Sequence, residues 1–372
     1  MRYDRESGPL LSLSKDNALC RTMPALALTP LLLCLSTCAA FAARAIGMPL
    51  PFLIGPLLLT GLTFTLLSHR LPTGYRFPAR LRLVFIALIG VAIGSQITPE
   101  LFADPGALAL SAVALVLFIV LAHAWGYIVM RKLGTYDRPT AFYAAAPGGL
   151  FEAIAMGEEA GADPARLTLQ QFLRIIVVVT LVPIGLSLWY GAPVGSSAGM
   201  SFAAESVTVE DVIKAALAGM AGLALGHLLR LPAKQITGPM GVAGFATATG
   251  FFHPDLPQWL IDMAQIIVGT ALGTRFAGMS KQSLVQGIGL TLIAVLGMLC
   301  LSALFAAVLM RWLDQPFDIL LISFAPGGVT EMSLVALSLT ANPALVTLHH
   351  IARIILTVVG LAIVARFLPI KR

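Results

Sequence analysis

Charge is scarce in this chain: of 372 residues only 11% are Asp, Glu, Lys or Arg, while 58% are hydrophobic. That composition excludes an ordinary soluble fold, because no soluble core accommodates so many separate apolar runs of about 20 residues. Long polar stretches are missing too. The largest are the first 24 residues and residues 191–209, too short for a basic soluble module that could read nucleic acid. The net charge of +6 comes from Lys and Arg strung singly between apolar runs, which is how topology charges are distributed. The four cysteines, Cys20, Cys34, Cys38 and Cys300, show no C-x-x-C and no framework spacing, and they read as small buried hydrophobes. There is no phosphate-binding glycine loop, no nucleophile elbow and no Cys/His cluster. His69, His123, His227 and His253 are scattered near segment ends without ligand spacing. Neither enzyme chemistry, nor a cofactor, nor a metal site is expected.

What remains is a polytopic membrane protein. Twelve apolar segments lie near residues 25–43, 47–69, 81–98, 105–130, 139–157, 168–190, 210–229, 233–252, 258–277, 283–310, 318–339 and 345–368. Trp125, Trp189, Trp259 and Trp312 fall near segment ends, where an interfacial aromatic belt places them. The mixed residues ahead of the first segment could be the charged start of a signal peptide. A similar segment opens the second half, however, so Ala25 to Ala43 is expected to stay as a structural helix.

Six segments precede residues 191–209 and six follow, and the halves are duplicates. Residues 144–179 match 323–358 at fourteen of thirty-six positions without a gap. Pro147, Gly148, Gly149 and Glu152 fall on Pro326, Gly327, Gly328 and Glu331; Arg174 falls on Arg353; Gly90 and Gly94 fall on Gly269 and Gly273. Gly55-Pro56 meets Gly238-Pro239 with a small shift. Shared membrane composition does not produce coincident Pro, Gly, Glu and Arg.

Lys and Arg arbitrate the orientation of the halves. Twelve full spans put 16 on the cytoplasmic side and 6 outside, whereas re-entrant Pro-Gly-Gly segments give 19 and 3. The expected fold is therefore an all-α integral membrane protein of two inverted repeats. It has about ten transmembrane helices plus two re-entrant or broken Pro-Gly-Gly helices; the variant in which these segments cross stays open. The expected organisation is a cytoplasmic N-terminal tail (1–24), repeat one (25–190), a linker (191–209) and repeat two (210–372), in a bacterial inner membrane.

Backbone at bilayer depth survives a break only when buried in protein or lining a wet cavity. Pro147 and Pro326 lack a donor, and the paired glycines relax the chain. Each break thus opens a half-helix whose free N–H groups and positive end point into the membrane, and two such ends related by inversion would meet near the midplane. Glu152 and Glu331 sit in the first turns. Each either complements its own helix dipole or binds a proton or cation in an opened cavity. Arg174 and Arg353 need partners at depth; Glu152 and Glu331 are the symmetrical candidates, as structural salt bridges or as part of an anion site. Asp163-Pro164 and Asn342-Pro343 read as helix N-caps. Gln170 and Gln171 are replaced in the second repeat by His349 and His350. His349 shares a face with Arg353, as a proton relay or a satisfied polar contact.

Duplicated Pro-Gly-Gly-x-x-Glu segments followed by Asp/Asn-Pro and an intramembrane Arg, with "PFLIGPLL" (Pro51 to Leu58) and "IGVAIGSQITPE" (Ile89 to Glu100), resemble the membrane AbrB family of bacteria. The resemblance covers nearly everything after residue 24. It implies a likeness to cation/proton antiporters and anion transporters, and it brings the labels of gene-expression regulator and ammonia monooxygenase. Direct DNA reading lacks a basic module, and a copper oxygenase lacks a convergent histidine site. Two functions are expected to compete. One is a secondary transporter of a small solute or ion, proton-coupled through Glu152 and Glu331. The other is a membrane sensor that affects gene expression indirectly. The expected partners are the bilayer, the solute and a second copy of the chain.

Overall fold

Proline and glycine set where the helices start. The computed structural model describes residues 25–67, 71–72, 75–97, 99, 103–191, 207–277, 281–339 and 342–366. The expected N-terminal tail, most of the linker, and Cys20 and His69 lie outside them. Among the described residues there are fourteen α-helices and no strand. They are α1 (Ala25–Ala45), α2 (Pro51–Leu66), α3 (Ala79–Gly94), α4 (Pro105–Lys132), α5 (Arg138–Ala144), α6 (Leu150–Glu159) and α7 (Pro164–Tyr190). The series continues with α8 (Val209–Leu228), α9 (Lys234–Ala248), α10 (Gln258–Gly273), α11 (Lys281–Leu309), α12 (Phe317–Phe324), α13 (Val329–Ser338) and α14 (Pro343–Ala365). The twelve apolar segments are all helical, and the fifth and eleventh are each cut in two by Pro-Gly-Gly.

The helix series repeats itself. α10 is α3 displaced by 179 residues at both ends, and α13 is α6 displaced by the same 179; α9 starts 183 residues after α2. Packing is reciprocal as well, with α3 crossing α9 and α2 crossing α10. Glycines make these crossings close. A methyl added at Gly90 would lie 2.6 Å from the Ile236 carbonyl oxygen, and one at Gly269 would lie 2.3 Å from that of Leu53. Small residues that let backbones touch are how helices associate in lipid, where apolar side chains gain nothing by leaving one apolar medium for another.

Five helices are long and apolar enough to cross a membrane: residues 27–45 of α1, α4, α7, residues 282–309 of α11, and α14. That is fewer than the ten expected spans, for a physical reason. α2, α3, α9 and α10 have 15 or 16 residues, about 24 Å at 1.5 Å per residue, against a hydrocarbon core of about 30 Å. α8 carries Glu210, Asp211 and Lys214 in its first turns. The long helices turn apolar side chains outward, among them Val113, Val120, Leu188 and Leu304. The inside holds an apolar core that joins α2, α3, α7 to α10 and α12 to α14. Cys34, Cys38 and Cys300 are unpaired and exposed on outer helix faces, so the expectation that they are buried is corrected: a thiol faces lipid as readily as core.

Gly269→Ala is expected to destabilise the protein by about 2 kcal/mol, because the backbone of Leu53 cannot yield to the new methyl. Gly289→Ala in α11 meets nothing within 4 Å and should hold or gain about 0.5 kcal/mol. Thermal unfolding of the two variants in detergent checks the pair.

Candidate functional site

Each break leaves four backbone carbonyls at the end of one short helix and four N–H groups at the start of the next. At the first break α5 ends at Ala144 and Gly149, at φ 63°, serves as the N-cap of α6. Glycine adopts that left-handed conformation without the steric cost other residues incur. The second break differs: Gly328 is extended, at φ −79°, ahead of α13.

The carbonyl ends are capped from the crossing helices. On α7, the Gln171 amide donates to the Tyr143 carbonyl at 2.8 Å, and the Arg174 guanidinium donates to the carbonyl of Ala146. On α14, Arg353 donates to the carbonyl of Ala325 and, at 2.6 Å, to that of Gly327. Positive charge at a helix C-terminus complements its dipole as well as its open acceptors. Among the described residues no ion pair joins Glu152 or Glu331 to either arginine. The Glu/Arg pairs expected from sequence are therefore replaced by Arg/carbonyl pairs.

The N–H ends converge on one cavity of about 190 Å3. Gly148, Gly149, Glu152, Gly327, Gly328 and Glu331 all line it, together with Arg174. The Glu331 carboxylate folds back over its own half-helix tip, so that a methyl on Gly328 would lie 2.1 Å from Oε2. Glu152 is exposed to the cavity space, and Glu331 is half-buried. Pro147 and Pro326 precede the glycines at the breaks. Arg353 is not on the cavity wall; it lies behind it, 1% exposed.

His349 also lies away from the cavity. Its Nδ1 donates to the Leu345 carbonyl at 3.0 Å, and its Nε2 accepts from the Ser111 hydroxyl on α4. Its counterpart Gln170 makes the matching tie on the other side, accepting from Thr291 of α11 at 2.6 Å. Asp163 caps α7 through the N–H groups of Ala165 and Arg166, and Asn342 caps α14 through that of Leu345.

Two wall residues escaped sequence reasoning. Arg82 from the start of α3 and Arg275 just after α10 line the cavity that Glu331 also lines, and both are half-buried. The Arg275 guanidinium lies 4.9 Å from the centre of the Phe172 ring. In the sequence they count as topology charges at segment ends, and the duplication hides them: displaced by 179 residues, Arg82 falls on Ile261 and Arg275 on Gln96. No repeated signal marks them.

The counterparts of wall residues Ile86, Val268, Leu272 and Ala233 are Gln265, Ile89, Ile93 and Leu50; none of these lines the cavity, and all four are buried, as Ile86, Val268 and Leu272 are too. Gln265 is fully buried, and neither atom of its amide has a partner.

A family profile described as "Transition state regulatory protein AbrB" matches residues 57–369. Among curated relatives, "Uncharacterized protein YhjN" of Bacillus subtilis (strain 168) is 28% identical over 269 residues, 66% of this chain and 67% of that protein. "Putative regulator AbrB" of Escherichia coli (strain K12) is 24% identical over 335 residues, 90% of this chain and 94% of that protein.

Proposed function

The chain belongs to the AbrB family, and on that premise we propose that it is an inner-membrane secondary transporter that carries a small solute or ion through the central cavity with proton coupling. The observation that carries the reading is the convergence of both Pro-Gly-Gly tips and both carboxylates on one cavity. Half-helix N-termini supply fixed partial positive charge at a site that backbone irregularity tolerates only when wet. Ten spans and two re-entrant hairpins in inverted repeats fit the same geometry. Arg82 and Ile86 from the start of α3 share the cavity wall with Leu272 from the end of α10 and with Arg275 just after it, which supports opposite directions for these duplicate helices. With the N-terminus cytoplasmic, the mouth at Arg82, Ala233 and Arg275 opens to the cytoplasm, the side that Lys and Arg favour.

Glu152 and Glu331 are the proton sites in this reading. Each is an ionisable side chain at a half-helix tip on the cavity wall, and ionisable groups at such depth mark proton and ion pathways. Purified protein in proteoliposomes with a trapped pH dye should acidify or alkalinise when a transported solute is added. Glu331→Gln should abolish that proton movement and Glu152→Gln should reduce it strongly. Unchanged flux in both variants removes the assignment.

The name of the Escherichia coli relative favours a second reading, a sensor that binds a solute in this cavity without moving it and acts on gene expression indirectly. A solute that stabilises the protein yet produces no flux in proteoliposomes selects that reading.

A further inference from the structure

We propose that the solute is a small organic anion bearing a carboxylate, its charged end held between the half-helix tips and its entry governed by Arg82 and Arg275. The inference rests on the cavity being the solute site, as argued above, and names the chemistry that the site takes.

Charge decides the sign. The wall carries three arginines, Arg82, Arg174 and Arg275, and two carboxylates, Glu152 and Glu331. With both acids ionised the side chains sum to +1, and each half-helix N-terminus adds about half a charge, giving about +2. A wall of net positive charge favours an anion over a cation. Arg174 lines the cavity and is 5% exposed, and its Nε is buried without a partner.

Arg82 and Arg275 have no structural duty that the duplication repeats. Their counterparts are Ile261 and Gln96, so the fold is complete without charge at these places. Arg82 and Arg275 match Glu152 and Glu331 in number, so Arg174 is the cation left over, and Arg275 is held in place on the face of Phe172. Guanidinium groups match carboxylates in planar, two-point geometry.

Shape decides the rest. Ile86, Ile175, Val268 and Leu272 make an apolar part of the wall beside the polar Gln235 and Thr330, and that part suits a carbon skeleton better than a bare inorganic ion. A volume of about 190 Å3 holds about six waters at about 30 Å3 each, the size of a short mono- or dicarboxylate.

The test is binding to the purified full chain in nanodiscs, by thermal shift and calorimetry, with acetate, butyrate, succinate, phosphate, chloride, ammonium and choline as probes. At least one of the three carboxylates should stabilise the protein, and ammonium and choline should not. Arg82→Gln and Arg275→Gln should each weaken that binding by about tenfold or more, as loss of one charged hydrogen bond does. Arg275→Lys, which keeps the charge and guards against misfolding of the Gln variant, should retain part of it. Stabilisation by ammonium or choline alone, by phosphate or chloride alone, or by no probe overturns the proposal; so does carboxylate binding unchanged in both Gln variants. Carboxylate binding without flux keeps this inference and removes the transport reading, while flux of a cation does the reverse.

Discussion

Arg353→Met is expected to lower stability by about 3 kcal/mol and Arg174→Met by about half as much, the largest stability effects of any polar substitution in the chain. Arg353 donates to two carbonyls, those of Ala325 and Gly327, and Arg174 to one, that of Ala146. Hydrogen bonds from a charged donor contribute about 1.5 to 3 kcal/mol each, and a buried carbonyl left open costs a comparable amount. Methionine fills the volume of the lost stem but offers no donor, so the α12 terminus would face the interior with acceptors unmet. Part of the loss is offset because a buried charge no longer has to be desolvated, which is why the figure stays near 3 kcal/mol. In detergent the Arg353→Met transition should fall by at least about 5 °C and further than that of Arg174→Met. Equal or unchanged transitions would show that the breaks do not depend on these donors. Gln171→Leu tests the same principle at smaller scale, since its amide serves the carbonyl of Tyr143.

That hierarchy explains what could be read from the sequence and what could not. The apolar segments, the two breaks and the caps were legible because each has a local signature: a run of aliphatics, Pro-Gly-Gly, and Asp or Asn before Pro. The gathering of Gly148, Gly149, Gly327 and Gly328 with Glu152 and Glu331 at one cavity follows from duplication plus the rule that broken backbone must be buried or wet. The partners of Arg174 and Arg353 were not legible. Opposite charges in the same repeat invite an ion pair, whereas the true acceptors are main-chain carbonyls, which every residue carries and no letter advertises. His349 was legible as a satisfied polar contact but its partner was not: its ring ties α14 to Ser111 on α4, a contact between residues 238 apart in sequence. Arg82 and Arg275 were invisible for the opposite reason, because a search for repeated residues discards whatever only one half possesses. The asymmetry of a duplicated site is where its specificity is written, and it is what a repeat alignment hides.

Gln265→Cys, in a chain with Cys20, Cys34, Cys38 and Cys300 replaced, is expected to change its reactivity about tenfold or more when transport is driven. Residue 265 is the counterpart of Ile86, which lines the open cavity, yet it is fully buried with its amide unpartnered on both atoms. An isolated buried amide costs about 1 to 3 kcal/mol per unmet group, and a site that stayed dry in every state would gain by holding an aliphatic there instead. The amide makes sense if water reaches it in a second conformation. If the two halves exchange roles, the wall now made by Ile86, Val268, Leu272 and Ala233 closes, and Gln265, Ile89, Ile93 and Leu50 open to the other side. Such a state at about 1 to 10% of the population becomes dominant when a solute gradient favours it, which sets the size of the change. A membrane-impermeant thiol reagent added on the side away from the Arg82 and Arg275 mouth reads it directly. Ile86→Cys should respond in the opposite sense, losing reactivity as 265 gains it. Labelling of residue 86 alone, with residue 265 silent under every gradient, would mean that the cavity never changes sides, and the chain would then be a receptor with a single door.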